Sequence, residues 1–255
     1  MFEKKIEENL FQLLVQIADD KLILGHRLSE WCGHAPILEE DIALANIALD
    51  NIGQANSLYQ IAVKLENKNR SEDELAFFRD EREFRNIQIV ELPKGDFAFT
   101  IVRQFLYDNF SFLLFQKFCD PNFIELSDVS KKIVKEISYN LRHSKEWILR
   151  LGIGTEESKF NTQKAIDKIW EFTNEMFEFG NVENFLIEKN IIPNLDTIKT
   201  DWELSVKKIF DNTNLQIPNI SYFASGGRNG FHTEYLGYLL AEMQIVARSN
   251  PNVKW

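Results

Sequence analysis

Glycine and proline are scarce in this chain, 11 and six among 255 residues, which leaves little material for the frequent tight turns of a β-sandwich or β-barrel. Only two cysteines occur, Cys32 and Cys119, which excludes a disulfide framework and suits a reducing cytoplasm. No run of about 18 apolar residues is present, which excludes a helical membrane span. Excess basic charge is missing too: the net charge is −10, so nucleic-acid binding has no electrostatic support. No stretch repeats at about 20 to 50 residues, which argues against a solenoid. The segment Met1–Glu8 is charged and runs into a helix, unlike a signal peptide, so a cytoplasmic location is expected.

What is abundant is phenylalanine, 21 residues of it, in a pattern of long amphipathic stretches. The 3–4 spacing of apolar residues predicts helices at about 3–32, 36–67, 97–119, 125–152 and 160–178, with shorter ones near 72–91, 194–211 and 231–248. Pro36 fits the first turn of the second helix, followed by Glu39, Glu40 and Asp41 at its positive end. Leu151-Gly152 reads as a glycine stop for the fourth. Such long helices predict an all-α bundle of antiparallel helices. One domain is expected over 1–255, with a core bundle at about 3–178 and a helical C-terminal extension at about 179–255.

Each long helix carries an apolar stripe with a polar interruption near its middle. The first runs Leu14, Ile17, Lys21, Leu24, Leu28, Trp31; the second runs Leu44, Ile47, Asn51, Gln54, Leu58, Ile61, Leu65. The third runs Ile101, Phe105, Asp108, Phe112, Phe115; the fourth runs Ile133, Ile137, Asn140, Ser144, Trp147, Leu151. A phase error of one residue would turn these polar groups to solvent. If they face inward, burial demands pairing. Lys21 and Asp108 are then expected to form an interior ion pair, with Asn51, Gln54 and Asn140 satisfying the remaining donors and acceptors.

Metal chemistry has little to work with. Di-iron bundles use Glu-x-x-His on two helices. The residues three before His26, His34, His143 and His232 are Ile23, Trp31, Asn140 and Asn229, so that motif is absent. His143 and Glu146 form a lone reversed pair. Ser225-Gly226-Gly227-Arg228-Asn229-Gly230 lacks the Gly-Lys-Ser/Thr of a phosphate loop and reads as a flexible connector into the last helix, with Thr233 near that helix's start. Cys32 beside His34 reads as packing at a helix turn. The charged run Arg79–Arg85 reads as a solvated or partner-facing helix surface.

Several separated blocks resemble one family. They are Leu28–Pro36, Asp41–Asp50 with Gly53-Gln54-Ala55, Phe78–Arg82, Leu92–Ala98, Gly226–Gly237, Leu240–Gln244 and the final Trp255. Together they resemble the C-subunit family of phenylacetyl-CoA epoxidase (ring 1,2-phenylacetyl-CoA monooxygenase), nearly end to end. The resemblance implies a ferritin-like fold and assembly with a related catalytic A subunit, which carries the di-iron centre and binds most of the phenylacetyl-CoA. It also implies that the metal-centre positions are degenerate here: Lys21, Asn51, Gln54, Asp108, Ile137 and Asn140, of which only Asp108 keeps the ligand type. The expectation is a non-catalytic structural component of a hetero-oligomer, with no catalytic residue, cofactor or metal of its own and no nucleic-acid or membrane partner. A metal-binding oxygenase in its own right, or a helical interaction protein outside phenylacetate metabolism, are the alternatives.

Overall fold

The computed structural model describes residues 2–66, 68–121, 124–251 and 253; Met1, Trp255 and the last position of the helix expected at 36–67 lie outside the described residues. The fold class is the one the sequence predicts, all-α and ferritin-like with long antiparallel helices. The described residues form nine α-helices and five short 3-10 turns, with no strand. None of these helices is long and apolar enough to cross a membrane. The chain divides into two compact units, Met1–Pro93 with Ser225–Trp255, and Lys94–Ala224. Residues 179–224 thus belong to the second unit and 225–255 to the first.

In the first unit α1 (Phe2–Ser29) and α2 (Leu38–Glu66) pack against each other as an antiparallel hairpin. Pro36 does not sit in the first turn of α2, which begins two residues later. The Asp41 carboxylate accepts the Gly33 amide at 2.8 and 3.0 Å, so the connection is held in a turn through Ile37. The single helix expected near 72–91 is instead α3 (Glu72–Phe77) and an irregular strap with 3-10 turns at Glu81–Glu83 and Gln88–Glu91. Ser71 and Glu74 start α3 with a reciprocal capping box. The strap is not helical because several of its polar groups bind α1 and the segment before Glu234, as described below.

The second unit holds α4 (Phe97–Phe118), α5 (Ile124–Ile153), α6 (Glu156–Ile169), α7 (Asn181–Glu188) and α8 (Ile198–Asp211). Asp96 caps α4 by accepting the Phe99 amide at 2.8 Å. α4 is buried around most of its circumference and packs against α5, α6 and α8. The helix expected at 160–178 begins earlier, capped by Thr155, and breaks into 3-10 turns at Trp170–Phe172 and Asn174–Phe177. α7 has no counterpart in the sequence prediction. α9 (Glu234–Ser249) returns to the first unit.

Gly152 does not terminate α5, which runs on to Ile153. A Cβ there would lie 2.6 Å from the Thr213 Cβ, so glycine is needed for the close approach of the segment after α8. Replacing Gly152 by Val is expected to destabilise the protein by about 1–3 kcal/mol through overpacking, read as a lower urea midpoint at unchanged slope.

Candidate functional site

The four interrupted stripes face inward. Lys21, Asn51, Gln54, Asp108, Ile137 and Asn140 are each at most 3% exposed. Their neighbours Leu14, Ile17, Leu24, Leu28, Trp31, Leu44, Ile47 and Leu58 are buried as well; Ile61, Leu65, Phe112, Trp147 and Leu151 are half-buried. Lys21, Asn51 and Gln54 belong to the hairpin of the first unit, and Asp108, Ile137 and Asn140 to α4 and α5 of the second.

Some of their polar contacts lie within their own unit. Asn51 donates its amide to the Ile47 carbonyl at 2.8 Å, while its Oδ1 is buried without a partner among the described residues. Asp108 accepts from Gln104 Nε2 at 2.7 Å and from Ser144 Oγ at 3.3 Å. Two neutral donors thus serve its two carboxylate oxygens within its own unit.

A di-iron centre of the kind a ferritin-like bundle implies takes four carboxylates and two imidazoles. At these positions the chain offers a lysine, three amides, an isoleucine and one aspartate. An ammonium repels a cation and neutral amides are weak ligands, so this set does not fit. Among the described residues no group of three or more His, Cys, Asp or Glu side chains is placed to hold a metal ion. His143 is half-buried, and Glu146 is exposed and lies 4.0 Å from Arg150. Cys32 is not packed at the helix turn but exposed.

The periodicity missed a buried polar constellation around α1. Asp19 and Asp20, directly before Lys21, are fully or almost fully buried. Successive helical residues step by about 100°, so three buried charges in a row mean that α1 is enclosed on nearly all sides at this level. Asp19 accepts from the Tyr59 hydroxyl, from both terminal nitrogens of Arg79, and from the Arg85 amide at 2.7 Å. Burial opposes the Arg79 charge, and the adjacent Asp19 more than reverses this, holding the guanidinium above its ordinary pKa. Burial, with Asp19 beside it, pushes the Tyr59 hydroxyl well up.

Asp20 faces another way. It accepts the Ile87 amide at 2.8 Å and a two-pronged contact from Arg228, at 2.9 and 2.7 Å. Its pKa is nonetheless raised, because burial outweighs the Arg228 charge. The loop at 225–233 is therefore no loose connector: Gly226 and Gly230 adopt left-handed conformations that wind it into a 3-10 turn, and Arg228 pins that turn to α1. Nor is the Arg79–Arg85 run a solvated helix face. Arg79 and Phe84 are buried, and only Asp80–Glu83 are exposed. Farther along, Glu91 accepts from His232, Asn86 and Thr233. The one signal in the sequence was the Asp19-Asp20 pair ahead of two distant arginine-bearing blocks.

Fold and site together define a class: a ferritin-like helical protein whose buried mid-helix positions carry amides and a lysine rather than paired carboxylates and imidazoles. Comparison with known proteins makes this specific. The chain belongs to the phenylacetic acid catabolic protein family, whose model matches residues 1–255. It is 42% identical over 241 residues to the C subunit of 1,2-phenylacetyl-CoA epoxidase from Escherichia coli (strain K12), covering 94% of this chain and 97% of that protein.

Proposed function

We propose that this chain is the non-catalytic, structural C subunit of a cytoplasmic phenylacetyl-CoA epoxidase in aerobic phenylacetate degradation. In this reading it binds and stabilises a related catalytic A subunit. That partner carries the di-iron centre, binds most of the phenylacetyl-CoA and oxygenates its ring. The observation that carries the reading is the near full-length similarity to a C subunit. The donor set at the six mid-helix positions supports it, since a chain without iron ligands needs a partner for oxygen chemistry.

α2 offers a surface for such a partner. Between Glu39 and Lys64, which are exposed and charged, its exposed positions Ile42, Asn46, Leu49, Gly53, Asn56 and Gln60 carry no charge, in a chain that is 27% charged. Leu38, Ile42 and Leu49 are 70%, 55% and 67% exposed. An uncharged helix face with projecting aliphatic side chains suits the desolvated centre of a protein interface. Leu49→Arg leaves the core untouched and is expected to weaken binding to the A subunit about tenfold or more, seen as lost co-elution in size-exclusion chromatography.

Co-expression of the A and C subunits tests the whole reading. Co-elution, with ring-epoxidase activity of the catalytic partner falling when this chain is omitted, is the expected result. Separate elution, or about two iron atoms bound per molecule of this chain purified alone, would overturn it.

A further inference from the structure

We propose that His232 and Glu91 form a proton-operated latch, closed when the imidazole carries both protons and open when it loses one, which fastens the start of α9 to the strap. The latch is independent of the assignment as a C subunit.

The hydrogen-bond pattern shows where the protons sit. His232 Nε2 lies 3.1 Å from the Phe84 carbonyl oxygen, which can only accept, so that nitrogen must carry a proton. Nδ1 lies 2.5 Å from Glu91 Oε1. The same Oε1 accepts from Asn86 Nδ2 at 2.8 Å, and Oε2 accepts from the Thr233 amide and hydroxyl, each at 2.7 Å. Three further donors favour the charged carboxylate, so the shared proton belongs to the ring. Both side chains are shielded from solvent, and the ion pair joins groups 141 residues apart in sequence.

A neutral imidazole cannot satisfy this site. With one proton on Nε2, the Nδ1 lone pair would face a buried carboxylate; with the proton on Nδ1, Nε2 would face a carbonyl. Either tautomer loses one bond and leaves Glu91 without its cation. Other charges around the ring do not replace it. Glu81, on the turn before, adds a second negative charge. Arg85 shares the Phe84 carbonyl at 2.7 Å, and Arg27 reaches the Glu91 main-chain oxygen at 2.9 Å rather than its carboxylate. Arg228 is engaged by Asp20. Loss of the proton therefore removes one tie on residues 231–237 and loosens them, although Gln88 still reaches the Phe231 carbonyl and Arg27 the Tyr235 carbonyl, each at 2.9 Å, while Arg228 and the Gln244 contact to the Arg79 carbonyl at 2.9 Å keep the rest of the segment in place.

Burial lowers the affinity of the ring for its proton, but the hydrogen bond and charge of Glu91 outweigh it, so the His232 pKa is raised above the ordinary histidine value. For a raised pKa the stabilisation is complete below the open-state value, near 6.5, and is lost as pH rises to the folded value. The opening equilibrium should grow by up to about tenfold per pH unit in that window and then level off.

Hydrogen exchange of the full-length chain between about pH 6 and 9, corrected for intrinsic rates, tests this. Protection of residues 231–237 is expected to fall with pH in the parent and to be independent of pH in His232→Gln. A flat profile in the parent, or an equal fall in His232→Gln, would overturn the latch. Nuclear magnetic resonance of ring-labelled histidine in the unmodified chain decides the matter even if the variant does not fold. A His232 titration above the ordinary histidine range supports the latch; one at or below it rejects it.

Discussion

Asp19→Asn is expected to destabilise the first unit by about 3–5 kcal/mol, the loss typical of removing one partner from a buried ion pair. The carboxylate is fully buried and gathers donors from three parts of the chain: Tyr59 on α2, Arg79 after α3, and the Arg85 amide on the strap. An asparagine of the same shape would turn its own donor toward at least one of these. It would also leave the Arg79 guanidinium uncompensated, stacked 4.2 Å above the Phe84 ring and bonded only to neutral acceptors such as the Leu75 carbonyl, at 2.6 Å. A melting temperature lower by about 10 °C or more is expected at neutral pH. The double variant Asp19→Asn/Arg79→Met should recover part of the loss, because it removes the stranded charge together with its partner. Because the pair is shielded from solvent, the loss should persist at high salt, unlike that of the exposed Lys4–Glu8 pair. A variant melting within a degree of the parent would show that Asp19 does not hold the strap.

The contrast between α1 and the strap explains what could be read from the residues alone. In the long helices, one 3–4 stripe faces a continuous apolar interior, so the stripes marked Lys21, Asn51, Gln54, Asp108 and Asn140 as inward candidates, and all five are buried. The same rule passes over Asp19 and Asp20, because it allows a helix only one buried face. α1 has more than one, and the side chains that cover its second face, Arg79 and Arg228, lie about 60 and 208 residues away. The strap failed for the complementary reason. Residues 72–91 have the charge pattern of a helix, but the Ile87 amide binds Asp20 and the Glu91 carboxylate binds the His232 segment, and these distant bonds outweigh local propensity. Gly152 shows the same limit at one residue: a glycine near a helix end looks like a stop until the Thr213 side chain appears against it. The family was legible from a different source, the resemblance of separated blocks such as Leu28–Pro36 and Gly226–Gly237 to the C-subunit family, which needs no contact map to read.

Trp202→Ala is expected to be the most damaging single change in the second unit, at about 3–5 kcal/mol. Trp202 on α8 is 2% exposed and sits in a ring cluster, its centroid 5.6 Å from that of Trp170 and 5.2 Å from that of Phe177. Trp170 and Phe105 each approach Phe210, and Phe177 meets Phe110 edge-on, so the cluster joins α8 and the 3-10 segment after α6 to α4. The indole nitrogen also donates to the Leu106 carbonyl of α4 at 2.9 Å. Truncation would therefore open a cavity and remove a polar tie in the same step. Trp202→Phe separates the two effects: it keeps most of the packing, drops the hydrogen bond, and should cost only about 1–2 kcal/mol. Hydrogen exchange gives the location. For Trp202→Ala the lost protection should appear first in α4 and α8, within residues 94–224, whereas for Asp19→Asn it should appear first in α1 and the strap. If Trp202→Ala instead lowered protection equally in α1 and α4, the two compact units would not be separate units of stability, and the aromatic cluster would be holding the whole chain.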